Sequence, residues 1–175
     1  MAAADKDRYI ASLRKIALFK YFDDDAVNDF YARAEVHTFK EGETVIREGD
    51  TSPLLYAVLK GSVNVTAHDG GKRVFLSAMG EGAIFGEAGI FMNVKRTANV
   101  ESATDTVMLS IHRTQLMKFI NERPAAGVKF LMIIVYTLLK KLRDTDMELA
   151  FERKEDASQD EIDSMVKEIM MEGGK

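Results

Sequence analysis

A mainly β domain with helices at both ends is the fold class this sequence predicts, and three observations carry the prediction. Between Val36 and His112 the chain breaks into short alternating or apolar segments, each closed by a glycine or another turn residue. The turn signals recur regularly, at Glu41-Gly42, Gly49-Asp50, Lys60-Gly61, Asp69-Gly70-Gly71 and Gly80-Glu81-Gly82, as in a sandwich or barrel of short strands. On either side of this region, apolar residues recur at helical spacing instead.

The N-terminal segment, 1–34, is the first of these helical flanks. Ile10, Leu13, Ile16, Ala17, Phe19, Phe22, Val27, Phe30 and Tyr31 fall on helical faces, and Asp23 or Asp24 is placed to cap a second short helix. The β core is predicted over 35–123, with strands at Thr44 to Ile46, Leu55 to Leu59, Ser62 to Thr66, Arg73 to Ala78, Thr97 to Val100 and Val107 to Ile111. Asp69-Gly70 is its best hairpin signal.

A helix is predicted over 124–153, opening at Pro124. Val128, Leu131, Val135, Leu138, Leu142, Thr145 and Leu149 follow alternating steps of three and four, a heptad-like seam that predicts a homodimer through this helix. Phe130, Met132, Ile133, Ile134, Tyr136 and Leu139 lie off the seam and are apolar too, so the first half needs cover on two sides, the barrel and a partner copy. The plainer alternative is that the helix packs on its own domain alone.

Residues 154–175 form an acidic linker and an amphipathic tail helix. Ser158 and Glu161 make a capping box ahead of one apolar face, Ile162, Met165, Val166, Ile169 and Met170. This helix either docks on its own domain or serves as a ligand-responsive lid or a site for a protein partner.

Composition narrows the function classes. The 175 residues suit one core with a short appendage, and 46% hydrophobic with 30% charged residues is the make-up of a folded soluble domain. The absence of cysteine removes disulfides, thiolate nucleophiles and cysteine-based metal sites. Asp5, Lys6, Asp7 and Arg8 interrupt the N-terminus before an apolar run develops, and Ala2 excludes myristoylation, so a cytoplasmic location is expected. Phe130 to Leu139, the longest near-continuous apolar stretch, is about half of the roughly 20 residues a membrane helix needs. A net charge of -4 argues against a nucleic-acid binder.

The chemistry concentrates in Phe85-Gly86-Glu87-Ala88-Gly89-Ile90-Phe91, Met92-Asn93-Val94-Lys95 and Arg96-Thr97-Ala98. A turn or short helix beginning near Gly86 points free N–H groups at an anion, and Arg96 adds a forked cation. Glu87 supplies a carboxylate that can accept from a ribose hydroxyl, and Thr97 a hydroxyl for phosphate or base.

This segment resembles the phosphate-binding cassette of the cyclic-nucleotide-binding domain family, which includes the catabolite activator protein, the regulatory subunits of protein kinase A and cyclic-nucleotide-gated channels. Gly42, Gly49, Tyr56 and Gly61-Ser62-Val63 fall where that family places its barrel turns, so the resemblance spans roughly Tyr9 to Ala150. It implies a double-stranded β-helix, a jelly-roll-like barrel, with a long C-terminal helix. It also implies that Glu87 accepts from the ribose, Arg96 holds the phosphate, and Gly86, Ala88, Gly89 and Ala98 complete the anion cradle through their backbone. Ala88 stands where the family usually carries a larger aliphatic residue, and Lys95 where kinase regulatory subunits carry proline. Val65 and Met79 are candidate apolar liners. Thr145 and Asp146 are candidate base contacts, an aspartate there being able to accept from guanine's N1 and N2 donors; a solvent-facing Asp146 or Asp144 is the plainer reading.

The expected function is therefore a stand-alone, non-enzymatic sensor that binds cyclic AMP or cyclic GMP, with no cofactor and no metal, and signals by repositioning the helix after Pro124. The alternative is a scaffolding dimer that keeps the barrel without binding. The glycines at 80, 82 and 86 match neither the dinucleotide nor the triphosphate loop, and His37, His68 and His112 form no His-x-His cluster. Relatives that bind DNA continue into a helix-turn-helix domain, and the acidic residues after Arg153 are not expected to supply one.

Overall fold

The computed structural model describes residues 3–92, 94–143 and 145. They fall into two compact units, 1–134 and 135–175, a division inside the segment 124–153.

In the first unit the helical flank forms α1 (Ala3–Lys15) and α2 (Asp24–Ala32). Asp23 caps α2, its carboxylate accepting from the Ala26 N–H at 2.7 Å. Eight strands follow: β1 (Glu35–Phe39), β2 (Thr44–Ile46), β3 (Leu54–Lys60), β4 (Val63–Asp69), β5 (Lys72–Met79), β6 (Ile84–Phe85), β7 (Asn99–Ser102) and β8 (Thr106–His112), with α3 (Glu87–Phe91) between β6 and β7. Two four-stranded antiparallel sheets result, ordered β1-β8-β3-β6 and β2-β7-β4-β5. This is the mainly β, jelly-roll-like barrel with flanking helices that the resemblance implies.

β1 and β6 add to the strands expected from the sequence. So does α4 (Arg113–Glu122), a helix inside the segment assigned to the β core. Its N-cap is His112, whose ring nitrogen accepts from the Thr114 N–H at 3.2 Å, a cap the usual Ser/Thr/Asp/Asn signature does not flag.

The run Leu54 to Leu59 is apolar throughout because β3 is covered on both faces. Leu55, Ala57 and Leu59 join the larger core with Leu109 and Ile111 of β8 and the helices. Tyr56 and Val58 point the other way, into a smaller core with Ile46, Val63, Phe85, Val100 and Met108. Aromatic rings tie the helices to the larger core: Phe30 meets Phe19 and Phe119 edge-to-face at 4.8 and 5.2 Å, and stacks on Phe130 at 6.0 Å. Such pairs add roughly 0.5–1.5 kcal/mol each beyond the area they bury. β5 is the opposite of β3, an edge strand whose Val74, Phe75 and Leu76 are all exposed.

After Arg123 the chain is helical again over 124–134 (α5), with Pro124 at the first position, where its missing N–H costs nothing. The N–H of Gly127 reaches the Arg123 carbonyl at 2.8 Å, and a Cβ at Gly127 would lie 2.9 Å from Ile120, so α5 passes close to the end of α4. Phe130 and Ile134 are buried, whereas Val128, Leu131 and Met132 are exposed.

In the second unit residues 135–143 are helical, and Val135, Tyr136, Leu138, Leu139 and Leu142 are exposed. The seam residue Leu149, Asp144 and the tail 154–175 lie outside the described residues. Among the described residues no helix is long and apolar enough to cross a membrane.

Candidate anion-binding cassette

The site begins where β6 ends. Gly86 has φ +86°, a left-handed conformation that glycine adopts without strain, and it turns the chain from β6 into α3. A Cβ at Gly86 would also lie 2.8 Å from both Arg96 Nη1 and the Leu54 carbonyl oxygen, so angle and space demand glycine together. α3 is a single short helix, and the Met92 N–H returning to the Ala88 carbonyl at 2.9 Å closes it.

Arg96 is fixed first through its backbone. Its N–H donates to the Asp50 carbonyl at 2.7 Å, and its carbonyl accepts from the Gly49 N–H at 2.8 Å. The side chain then turns inward: Nη1 donates to the Gly86 carbonyl at 3.0 Å and Nη2 to the Leu54 carbonyl at 2.6 Å, while the buried Nε has no partner among the described residues. The residue keeps 7% of its surface, and no ion pair of the described residues includes it. Burial pushes the guanidinium below its ordinary value, and the charges of Tyr56, Glu87 and Asp50 oppose that shift. Burial conversely raises the Tyr56 phenol, with Arg96 pulling against it.

Of the residues named from the sequence, Gly86 and Gly89 lie against this cation and Glu87 acts on it through its charge. Glu87 opens α3 and is half-buried; Gly89 is buried on the same helix, and Ala88 is exposed. Thr97 is exposed and Ala98 half-buried in the segment leading into β7. Val65 and Met79, on the paired strands β4 and β5, pack against the smaller core, which also holds Phe85 and Tyr56, two rings stacked at 5.3 Å. Thr145 belongs to the second unit, where it is exposed and its hydroxyl donates to the Lys141 carbonyl at 3.0 Å. Asp146 lies outside the described residues.

Two contributors are missing from the residues named for the site. The turn Gly49-Asp50, legible in the sequence only as a turn, holds the Arg96 backbone, and the Leu54 carbonyl accepts from its side chain; backbone carbonyls have no residue signature. Arg113, the first residue of α4, donates through Nη2 to the Gly89 carbonyl at 2.7 Å and thereby ties the end of α3 to α4. A cation at the carbonyl end of a helix is favourable, but its partner lies 24 residues away in sequence. Among the described residues no group of three or more His, Cys, Asp or Glu side chains is placed to hold a metal.

The cAMP-activated global transcriptional regulator CRP of Haemophilus influenzae is 30% identical over 128 residues, covering 72% of this chain and 55% of the relative, so the chain spans about half of that protein's length. The catabolite activator protein of Thermus thermophilus superposes with a TM-score of 0.67 at 25% identity, over 77% of this chain and 62% of the other. A cyclic nucleotide-binding domain from Methylobacillus flagellatus gives 0.71 at 24% identity over 81% of both chains, a likeness of fold. Residues 36–123 match the family model of the cyclic nucleotide-binding domain, and the chain belongs to that family.

Proposed function

We propose that this chain binds a 3′,5′-cyclic nucleotide, cyclic AMP or cyclic GMP, as a regulatory sensor. The observation that carries the reading is Arg96, a cation withdrawn from water and held on neutral carbonyls with no carboxylate paired to it among the described residues. A buried charge without a counterion is costly, and a monoanionic phosphodiester of the right size would supply one. Membership of the family, and the cAMP activation named for the Haemophilus influenzae relative, support the same ligand class.

In this reading Arg96 clamps the phosphate, the N–H groups of Ala88, Gly89 and Ala98 add donors, and Glu87 accepts from the ribose 2′-hydroxyl. Val65 and Met79 flank the base, and Thr97 contributes its exposed hydroxyl. The chemistry is recognition, and no reaction is assigned to the site. Arg113 would pass a change at α3 to α4, and from there to the helix after Pro124. That helix is proposed to pair with a second copy, because Val128, Leu131, Val135, Leu138 and Leu142 repeat in steps of three and four and all are exposed.

Calorimetric titration with each nucleotide tests the ligand. Saturable binding is expected, weakened in Arg96→Ala by about 1.5–3 kcal/mol, or roughly 10- to 150-fold. No binding of either nucleotide at millimolar concentration refutes the reading. Sedimentation equilibrium tests the pairing: Leu131→Glu is expected to weaken the dimer by at least about 2 kcal/mol, since it places an unpaired carboxylate in an apolar seam. A monomer at all concentrations in the unmodified protein sinks it.

A further inference from the structure

Gly89 differs from the other glycine of the cassette. Gly86 needs glycine for its backbone angle, whereas Gly89 has no positive φ and lies inside α3, where alanine is the better helix former. What glycine supplies there is room. A Cβ at Gly89 would lie 2.6 Å from Arg96 Nη1, 2.8 Å from its Cζ and 3.0 Å from the Ser52 carbonyl oxygen. The guanidinium therefore occupies a slot between two glycines, with the carbonyls of Gly86 and Leu54 as its acceptors.

This slot competes with a phosphate for the arginine. A guanidinium grips an oxyanion with two parallel N–H groups on one edge. Its end edge carries Nη1 and Nη2, both engaged on carbonyls, and its side edge includes Nε, which is buried. Each terminal nitrogen keeps a second N–H, but with the end edge facing the carbonyls those two point along different edges. Nε is shut from solvent, so the seated guanidinium lacks an accessible edge with two free donors. An equilibrium between a seated and a phosphate-gripping arginine lowers the apparent affinity by the fraction that is seated.

We propose that Gly89 sets nucleotide affinity by giving Arg96 this seat, so that binding must draw the side chain off the Gly86 and Leu54 carbonyls. The proposal rests on the assignment of Arg96 as the phosphate ligand. Besides the N–H it lends the phosphate, Gly89 acts as a positioning residue through Arg96, and a Cβ there should sharpen the arginine's grip.

The test compares unmodified protein with Gly89→Ala in calorimetric titrations with cyclic AMP and cyclic GMP. Arginine Nε–H resonances are followed alongside, that of Arg96 being assigned by its loss in Arg96→Lys. Gly89→Ala is expected to bind about three- to tenfold more tightly, the size of one net hydrogen bond, and to shift the Arg96 Nε–H resonance with no nucleotide added. Unchanged or weaker binding by Gly89→Ala, with the unmodified protein binding normally, overturns this proposal alone. Absence of binding by the unmodified protein refutes the functional reading and this proposal with it. If Gly89→Ala does not fold, titration of the unmodified protein still decides: the Arg96 Nε–H signal must move on saturation, and an unmoved signal overturns the seat.

Discussion

The end of α2 and the cassette each withdraw an arginine from water, but they answer its charge differently. Arg33, with 17% of its side chain exposed, meets Asp29 through two nitrogens at 2.9 and 3.3 Å and also pairs with Glu122; Arg123 reaches the same Asp29 at 2.8 Å. The result is a closed ionic cluster joining α2 to the end of α4. Arg96, the more buried of the two, has among the described residues only the carbonyls of Gly86 and Leu54 as side-chain partners. A fold stabilises itself by completing the ion pair, as around Arg33, because half of a desolvated pair is the costly arrangement. A cation held without its carboxylate is arranged for a charge that comes from elsewhere.

The contrast should appear first in stability. Asp29→Ala takes the shared carboxylate from Arg33 and Arg123, and urea unfolding should show a loss of about 2–3 kcal/mol. That is below the 3–5 kcal/mol of a dry pair, because Asp29 keeps 21% of its side chain exposed. A loss under about 0.5 kcal/mol would mean the cluster is an ordinary surface pair.

The acid limb of stability sharpens the same point. Burial acts to raise the Asp29 carboxyl, but hydrogen bonds and charge from Arg33 and Arg123 prevail and hold it below its ordinary value. Because the folded value is depressed, the stabilisation is present above the ordinary aspartate range near about 4 and is lost as pH falls below it toward the folded value. Urea midpoints should therefore fall more steeply below about pH 4 in the unmodified protein than in Asp29→Asn. Parallel acid limbs would assign the pH dependence to other carboxylates.

The smallest effect is expected at the other arginine. Arg96→Met removes a desolvated charge but leaves two carbonyls without their donor, two terms of opposite sign, so stability should change by less than about 1 kcal/mol. A loss as large as that of Asp29→Ala would make Arg96 a structural residue and dissolve the comparison.

The sequence was most legible where its signals are local. The strand over Thr44 to Ile46 is read to the residue, and the cap of α2 is narrowed to Asp23 or Asp24, of which the structure uses Asp23. β3, β4, β5 and β8 differ from expectation by a few residues at their ends, where pairing rather than composition sets the boundary. β7 begins at Asn99, two residues later than expected, because the backbone of Arg96 is engaged with the turn at Gly49-Asp50. β6 is only two residues long, and α4 is capped by a histidine, so neither shows a pattern that periodicity can register.

The same division runs through the site. Gly86, Glu87, Gly89 and Arg96 stand within a dozen positions of one another, and their residue types announce an anion site before any folding is considered. Where the guanidinium points is another matter. It depends on the carbonyl of Leu54, brought in from the start of β3, while Arg113, brought in from the start of α4, holds the Gly89 carbonyl beside it. The sequence by itself determined the class of fold, the charged groups of the cassette and the glycine that turns the chain into α3. Only the tertiary structure decided that Arg96 rests on neutral carbonyls while Arg33 is paired, because contacts through the backbone across more than 40 residues leave no mark on the identity of the residues that make them.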